Sequence, residues 1–343
     1  MRLLVTGSAG FIGYHLSDRL LREGHEVVSL DNVNDYYDVR LKQARLERLE
    51  TQAGFQFVKG DLADEGAVRS LVDRGPFDAV IHLAAQAGVR YSLEKPRVYI
   101  DSNLIGFFHI LEMCREMKIK HLIFASSSSV YGLNTHQPFS VDQPVDHPVS
   151  LYGASKKANE VMAHSYASMF GVPCTGLRFF SVYGPWGRPD MALWRFARAI
   201  HLGESIDLYN HGDMERDWTY VDDIVEGIVR LIPLEPSVNE SWNSDDPSPA
   251  TSSAPFRVLN IGAGRAVRLQ RFLELIEEEL GKKAQVNLLP MQPGDVRSTH
   301  ANIDSLKALT GYQPQVQVEE GIHRTLAWFR EYYIESGRPI PVS

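Results

Sequence analysis

Short apolar runs alternate along the chain with stretches of helical period. Leu3 to Val5 is followed by Ile12, Leu16 and Leu20, and further runs fall at Val27 to Leu30, Phe55 to Val58, Ala79 to Leu83 and Leu122 to Ala125. Strands buried on both faces read as continuous apolar runs, because helices cover the sheet above and below. The pattern therefore predicts an α/β fold: a doubly wound parallel sheet of Rossmann type. Beyond about residue 175 the alternation weakens, with a Gly/Pro loop over 184–189 and helices predicted over 221–231 and 269–280. We expect residues 1–175 to form the sheet domain. Residues 176–343 are expected to form mainly a second, smaller mixed α/β lobe, with some segments returning to the sheet. Open α/β sheets bind ligands beyond the carboxyl ends of their strands, and such a lobe would close over that crevice. Residues 235–255 are rich in Ser, Pro, Asn and Asp and nearly devoid of apolar side chains, so we expect a mobile surface loop there. An insertion without function is its simpler reading.

Composition narrows the picture. With 44% apolar residues in a chain of 343, there is enough to bury a large core. A formal charge of −8 argues against nucleic acid as the main partner, since phosphate backbones select for clustered Lys and Arg. The opening run Met1 to Thr6 is too short for a signal peptide or a membrane span, so a cytoplasmic protein with no membrane partner is expected. The two cysteines, Cys114 and Cys174, offer neither a disulfide framework nor a zinc-type spacing, and no metal is expected.

The stretch Val5-Thr6-Gly7-Ser8-Ala9-Gly10-Phe11-Ile12-Gly13 follows the first strand and opens the first helix. Glycines there permit a tight turn and a close approach of backbone to a pyrophosphate, which the helix N-terminus faces. A glycine turn alone is as often a mere tight loop. Three further features agree with a dinucleotide site. Asp31, followed by Asn32, ends the second strand, where a carboxylate accepts hydrogen bonds from ribose hydroxyls and repels a 2′-phosphate, favouring NAD over NADP. Gly60-Asp61-Leu62 closes the third strand, although Asp61 fits a turn-forming role equally well. Leu83-Ala84-Ala85-Gln86 closes the fourth with small residues. Residues 1–175 thus read as an NAD-binding domain.

Tyr152 and Lys156 lie four apart on a helix predicted over about 151–170, so they share one face. An ammonium beside a phenol favours the phenolate, a base able to take a hydroxyl proton while nicotinamide takes a hydride. Ser126 to Ser129 follow the strand Leu122 to Ala125, at a carboxyl end where catalytic groups of such sheets belong.

The glycine pattern, the Tyr152/Lys156 pair and the run Ser126 to Gly132 resemble the extended short-chain dehydrogenases over nearly the whole chain. Within them, Asp31 to Asp38, Arg178 to Pro189 and Met291-Gln292-Pro293-Gly294-Asp295-Val296 resemble the UDP-glucuronate 4-epimerases. The resemblance implies that Tyr152 is the base, that Lys156 tunes it and holds the nicotinamide ribose, that Ser127 is the active-site hydroxyl and that Asn103 supports the site. It also implies that Arg216 and Asp295 grip the uridine diphosphate. Gln292 departs from relatives that carry Arg there. Arg297 either compensates or faces solvent.

The resemblance also separates reactions. Related dehydratases carry Asp and Glu at the positions of Ser128 and Ser129, and related decarboxylases carry Glu at the latter. Hydroxyls alone lack the proton-transfer groups those reactions need. We therefore expect reversible oxidation of UDP-glucuronic acid at C4 and return of the hydride to the opposite face, giving UDP-galacturonic acid through a 4-keto sugar without loss of carbon dioxide. Holding the sugar carboxylate falls to Ser127, Ser128, Ser129 and Ser181, where neutral-hexose enzymes have Asn at the last. Arg188 acts on that charge or forms an ordinary loop salt bridge. The rival readings are a UDP-glucose 4-epimerase, a UDP-glucuronate decarboxylase and an inactive NAD-sensing regulator. Apolar residues on several faces of helices near 105–117 and 152–170 resemble a homodimer interface, and a single buried core explains them nearly as well.

Overall fold

The computed structural model describes residues 1–292 and 294–341, so Pro293 of the quoted string lies outside it. Seven parallel strands form the main sheet: β1 (Arg2–Thr6), β2 (Glu26–Asp31), β3 (Phe55–Lys59), β4 (Ala79–His82), β5 (Leu122–Ser127), β6 (Cys174–Phe179) and β10 (Phe256–Ile261), in the order β10-β6-β5-β4-β1-β2-β3. A three-stranded sheet joins β7 (Ser181–Tyr183), β9 (Glu215–Tyr220) and β11 (Ala266–Arg268), and β8 (Ser205–Leu208) pairs with β12 (Gln285–Leu288).

The continuous apolar runs follow from this two-sided burial. Leu3, Val27, Ile81 and Ile123 point into one core layer, while Leu4, Val28, Val80 and Phe124 point into the other. Successive residues of one strand thus fill opposite layers, leaving no face for polar alternation. A third apolar cluster around Trp194, Trp218, Phe272 and Phe329 holds the smaller sheets and their helices together. The main sheet takes two of its strands, β6 and β10, from beyond residue 173.

The chain leaves β1 for β2 and β3 on one side and then crosses back to β4 on the other. This reversal opens a crevice at the carboxyl ends of β1 and β4, the place where such sheets bind ligands. The two strand ends approach so closely that a Cβ on Gly7, whose φ is +86°, would lie 2.8 Å from the Ala84 nitrogen. Only glycine fits there.

Residues 235–255 contain no helix or strand beyond an isolated bridge from Thr251 to Arg257. Their end is tied down, because the Asn239 amide donates to the Ser252 carbonyl at 2.9 Å and His164 pairs with the Ser252 hydroxyl at 2.7 Å. Among the described residues no helix is long and apolar enough to cross a membrane, and no group of three or more His, Cys, Asp or Glu is placed to hold a metal ion.

Candidate active site

The helix Phe11–Arg22 begins at Gly10, which lacks a side chain to cap it. Its first amide N–H groups are therefore free to meet an anion, with the positive end of the helix dipole behind them. They face a cavity of about 260 Å³. Every residue expected to bind cofactor lines this cavity: Gly7, Gly10, Phe11, Ile12 and Gly13 from the turn, Asp31 and Asn32 from β2, Asp61 and Leu62 after β3, Leu83 to Gln86 after β4, and Tyr152 with Lys156.

Asp31 is fixed by two backbone donors, the Ala9 amide at 3.1 Å and the Val33 amide at 2.8 Å. Burial pushes its carboxyl above the usual range, against the pull of the Val33 amide and the Lys42 charge. An uncapped helix end beside a carboxylate held at a strand end suits a dinucleotide with free ribose hydroxyls. Asp61 lines the cavity and also makes a turn, accepting the Ala63 amide at 2.9 Å and the Asn32 side chain at 2.8 Å.

The helix Leu151–Phe170 starts at Ser150, whose hydroxyl accepts the Gly153 amide at 3.0 Å. That cap sets the first turn so that Tyr152 and Lys156 face the end of β5. Lys156 donates to the Ala125 carbonyl at 2.8 Å, and burial lowers its pKa to about 8. Asn103 braces this region: its side chain bonds both the amide and the carbonyl of Gln86, at 2.8 and 3.0 Å, and the Ser155 hydroxyl at 3.0 Å.

The electrostatics differ from the expectation in one respect. Burial raises the Tyr152 pKa, the nearby Ser127 side chain lowers it, and the positive charge that lowers it further is that of Arg188 rather than Lys156. The lysine is engaged with the Ala125 carbonyl instead. Arg188 lines the same cavity as Ser127 and Tyr152, and it also forms the loop salt bridge weighed against that role, to Asp190.

A second cavity of about 600 Å³ adjoins the first through Tyr36, which lines both. Arg216 and Asp295 meet in it, paired at 2.7 Å. Arg90 approaches Asp295 at 3.8 Å while lying over the Tyr209 ring at 4.5 Å. Arg195, Trp218 and the acidic Glu94, Asp190 and Asp207 are also among its lining. Arg297 stands apart, exposed and paired with Asp213 at 3.0 Å, which is the solvent-facing alternative.

Three expected substrate residues are not brought to either cavity. Ser128 and Ser129 turn into the short helical segment Ser128–Tyr131, where the Ser129 amide donates to Ser127 at 3.1 Å, and Ser181 opens β7 opposite Trp218. Conversely, sequence reading passed over Lys42, Arg45, Arg90, Tyr209 and Asp190. Arg45 is fully buried and donates to the Ala9 carbonyl, the Tyr37 hydroxyl and the Trp186 carbonyl, at 2.7, 2.7 and 2.5 Å. Its position on a helix face full of charges gave no sign of this.

Fold and site together define the class: an enzyme of short-chain dehydrogenase type, built to work with a bound dinucleotide. The chain belongs to the NAD dependent epimerase/dehydratase family, whose model matches residues 3–243. It is 50% identical over 337 residues to a probable UDP-glucuronate 4-epimerase of Rhizobium meliloti, covering 97% of this chain and 98% of that one. It is 45% identical to UDP-glucuronate 4-epimerase 4 of Arabidopsis thaliana, covering 96% of this chain and 76% of the relative. The crystal structure of UDP-glucuronic acid 4-epimerase from Bacillus cereus, in complex with UDP-glucuronic acid and NAD, matches with a TM-score of 0.85 at 31% identity, covering 97% of this chain and all of that one.

Proposed function

We propose that this chain interconverts UDP-glucuronic acid and UDP-galacturonic acid by NAD-dependent epimerisation at C4, without decarboxylation. The observation that carries the reading is the meeting of Tyr152, Ser127 and Arg188 in the cofactor cavity, next to a second cavity holding Arg90, Arg195 and Arg216. The second cavity suits a nucleoside diphosphate: its guanidiniums match phosphate oxygens, and Tyr209 and Trp218 offer aromatic faces to a base. A sugar extending from that diphosphate toward Tyr152 passes Arg188, a cation for its carboxylate.

NAD, held by the glycine turn and Asp31, would supply the hydride acceptor for the sugar C4 and the donor for its return. Tyr152 takes the proton of the 4-hydroxyl and gives one back to the 4-keto oxygen. Ser127 hydrogen-bonds that oxygen, and Lys156 would hold the nicotinamide ribose. Arg216 and Asp295 hold the diphosphate end, with their mutual pair at 2.7 Å setting the arginine's orientation. The ring turns between the two hydride transfers. Meanwhile Arg188 and Ser127 keep the carboxylate out of the alignment with the keto group that loss of carbon dioxide requires. Among the described residues the carboxylates lining the cofactor cavity are Asp31 and Asp61, at the ends of the second and third strands, and the positions after β5 carry hydroxyls, which disfavours elimination chemistry.

We place the enzyme in the cytoplasm, consistent with two free, buried cysteines. We also propose a homodimer in which a second copy covers Phe108, Val161 and Met169, which stand 43%, 57% and 63% exposed on adjacent helices. Sedimentation of Val161→Glu tests it, with a monomer as the expected result. Function is tested by incubating the protein with UDP-glucuronate and following products by NMR. UDP-galacturonate without a pentose product is expected. Turnover of UDP-glucose alone would overturn the uronate reading, and stoichiometric carbon dioxide would make the protein a decarboxylase.

A further inference from the structure

The helix Leu151–Phe170 meets three consecutive residues of β5 with three side chains from successive turns. Lys156 donates to the Ala125 carbonyl at 2.8 Å, Glu160 accepts the Ser126 hydroxyl at 2.6 Å, and Tyr152 shares the cavity lining with Ser127, whose side chain lowers its pKa. Residues 152, 156 and 160 share one helix face. Two of the three belong to the candidate site. Glu160 lines neither cavity.

Glu160 is nonetheless the most elaborately held of the three. Arg178 on β6 grips both of its oxygens, Nε to Oε1 at 2.9 Å and Nη2 to Oε2 at 3.0 Å, with the two side chains 0% and 4% exposed. The remaining arm of Arg178 donates to the Tyr131 hydroxyl at 3.1 Å, and Tyr131 donates to Asn260 on β10 at 2.7 Å. Asn260 in turn donates to the Phe139 and Asn302 carbonyls at 2.7 and 3.0 Å. Burial works against the Arg178 charge, but Glu160 beside it holds the guanidinium above its ordinary pKa, so the guanidinium stays charged.

A buried ion pair is a poor device for stability, since apolar residues of similar volume commonly do as well or better. Its geometry does something apolar packing does not. Hydrogen bonds to both carboxylate oxygens fix Glu160 along the helix axis and around it, relative to β5 and β6 at once. A slip of the helix that misplaced Tyr152 would break three bonds to buried charges.

We propose that Glu160, held by Arg178, is a positioning residue for the reaction: it sets the register of the helix on β5 that brings Tyr152 and Lys156 to the ends of Ser127 and Ala125. The proposal rests on the reading of Tyr152 as the acting base, and its test separates the two.

The holoenzyme is compared as wild type, Ser126→Ala, and the double variant Glu160→Leu with Arg178→Met. The double variant removes both charges together, so no buried charge is left alone and the fold is kept. It should unfold at a midpoint no lower than wild type and keep KM within a few-fold, while kcat falls roughly tenfold or more, the scale of a small misplacement of reacting groups. Ser126→Ala keeps the ion pair and loses one bond to the strand, so a smaller fall in kcat at unchanged KM is expected. A second readout needs no turnover: the phenolate difference absorbance of each protein against its Tyr152→Phe counterpart, titrated with pH, should move upward in the double variant. Wild-type kcat together with a wild-type titration in the double variant overturns the proposal. Should the double variant fail to fold, Ser126→Ala decides, and an unchanged kcat and titration there overturns it equally. If Tyr152→Phe itself retains full activity, the assignment of the base fails, whereas the titration still reports on the register.

Discussion

Arg188 and Asp190 are joined by two parallel hydrogen bonds, Nε to Oδ1 at 3.0 Å and Nη2 to Oδ2 at 2.5 Å. Tyr36 donates its hydroxyl to the same Oδ2 at 3.1 Å. Tyr36 follows β2 and Asp190 follows β7, so this small cluster ties the two parts of the molecule together where the cavities meet. Burial opposes the Arg188 charge, and Asp190 restores it, holding the guanidinium above its ordinary pKa. The arginine is therefore a fixed cation beside Tyr152.

Replacing it should affect acid and neutral sugars differently. A hydrogen bond to a charged partner contributes about 1.5–3 kcal/mol, so Arg188→Met should lower kcat/KM for UDP-glucuronate roughly ten- to a hundredfold. The loss with UDP-glucose should be smaller. Because Arg188 also lowers the Tyr152 pKa, its removal should shift the rise of kcat/KM to higher pH. Equal losses on both sugars would mean that Arg188 serves only the loop.

Tyr152→Phe removes the proton acceptor while keeping the ring that packs edge-on against Tyr99, with centroids 6.2 Å apart. Loss of a general base costs roughly a hundredfold to ten-thousandfold in kcat. Calorimetric NAD binding should stay close to wild type, because the glycine turn and Asp31 are untouched. A variant that has lost NAD binding as well would assign Tyr152 to cofactor retention.

How far the sequence carried these assignments depended on distance along the chain. Strand and helix order were readable because each element announces itself locally: Leu3 to Val5 by unbroken apolarity, Leu151–Phe170 by its serine cap and the glycine after it. The cofactor cavity was readable for the same reason, since its contributors sit at strand ends or on the helices Phe11–Arg22 and Leu151–Phe170, each marked by a local pattern. Arg45 and Asp190 were not, because each has a partner far off in sequence. The bond from Arg45 to Trp186 spans 141 positions, and that from Tyr36 to Asp190 spans 154. Ser128 and Ser129 show the opposite case. They follow the strand directly, but the chain turns helical at Ser128 and carries them away from the cavity lining. The partner of Lys156 needed coordinates too, because a lysine that reaches a phenol also reaches the carbonyl of Ala125.

Asp31 gives a prediction about cofactor choice. Its carboxylate is fixed by the Ala9 and Val33 amides rather than by a salt bridge, so it keeps acceptor capacity toward the cavity. Asp31→Ser should weaken NAD binding by roughly tenfold through loss of charged hydrogen bonds. It should also narrow the gap between NAD and NADP, since the repulsion of a 2′-phosphate goes with the charge. Titration with the two dinucleotides checks this, and an unchanged ratio would locate discrimination elsewhere.

Buried histidines set the acid limit. Burial lowers His82 to about 3, and lowers His15 and His121 to about 4, from an ordinary 6.5. His82 Nδ1 lies 2.9 Å from the Thr6 hydroxyl, and that hydroxyl accepts the Ala84 amide at 3.1 Å, so the neutral ring belongs to the bonding beneath the cofactor turn. A histidine with a depressed folded pKa leaves stability intact above 6.5. As pH falls below that, the unfolded chain takes up a proton that the folded chain refuses, and stability is lost until the folded pKa is passed. Each such group steepens the loss by about 1.4 kcal/mol per pH unit, and the three together by about 4 between pH 6.5 and 4. His82→Gln should be less stable than wild type at pH 7, where a packed ring is lost. Its unfolding free energy should nevertheless fall less steeply with acid, by about 1.4 kcal/mol per pH unit. Urea titrations of both proteins at pH 7, 6 and 5 measure that difference in slope, and parallel slopes would show that His82 takes up its proton in the folded chain over the same range as in the unfolded one.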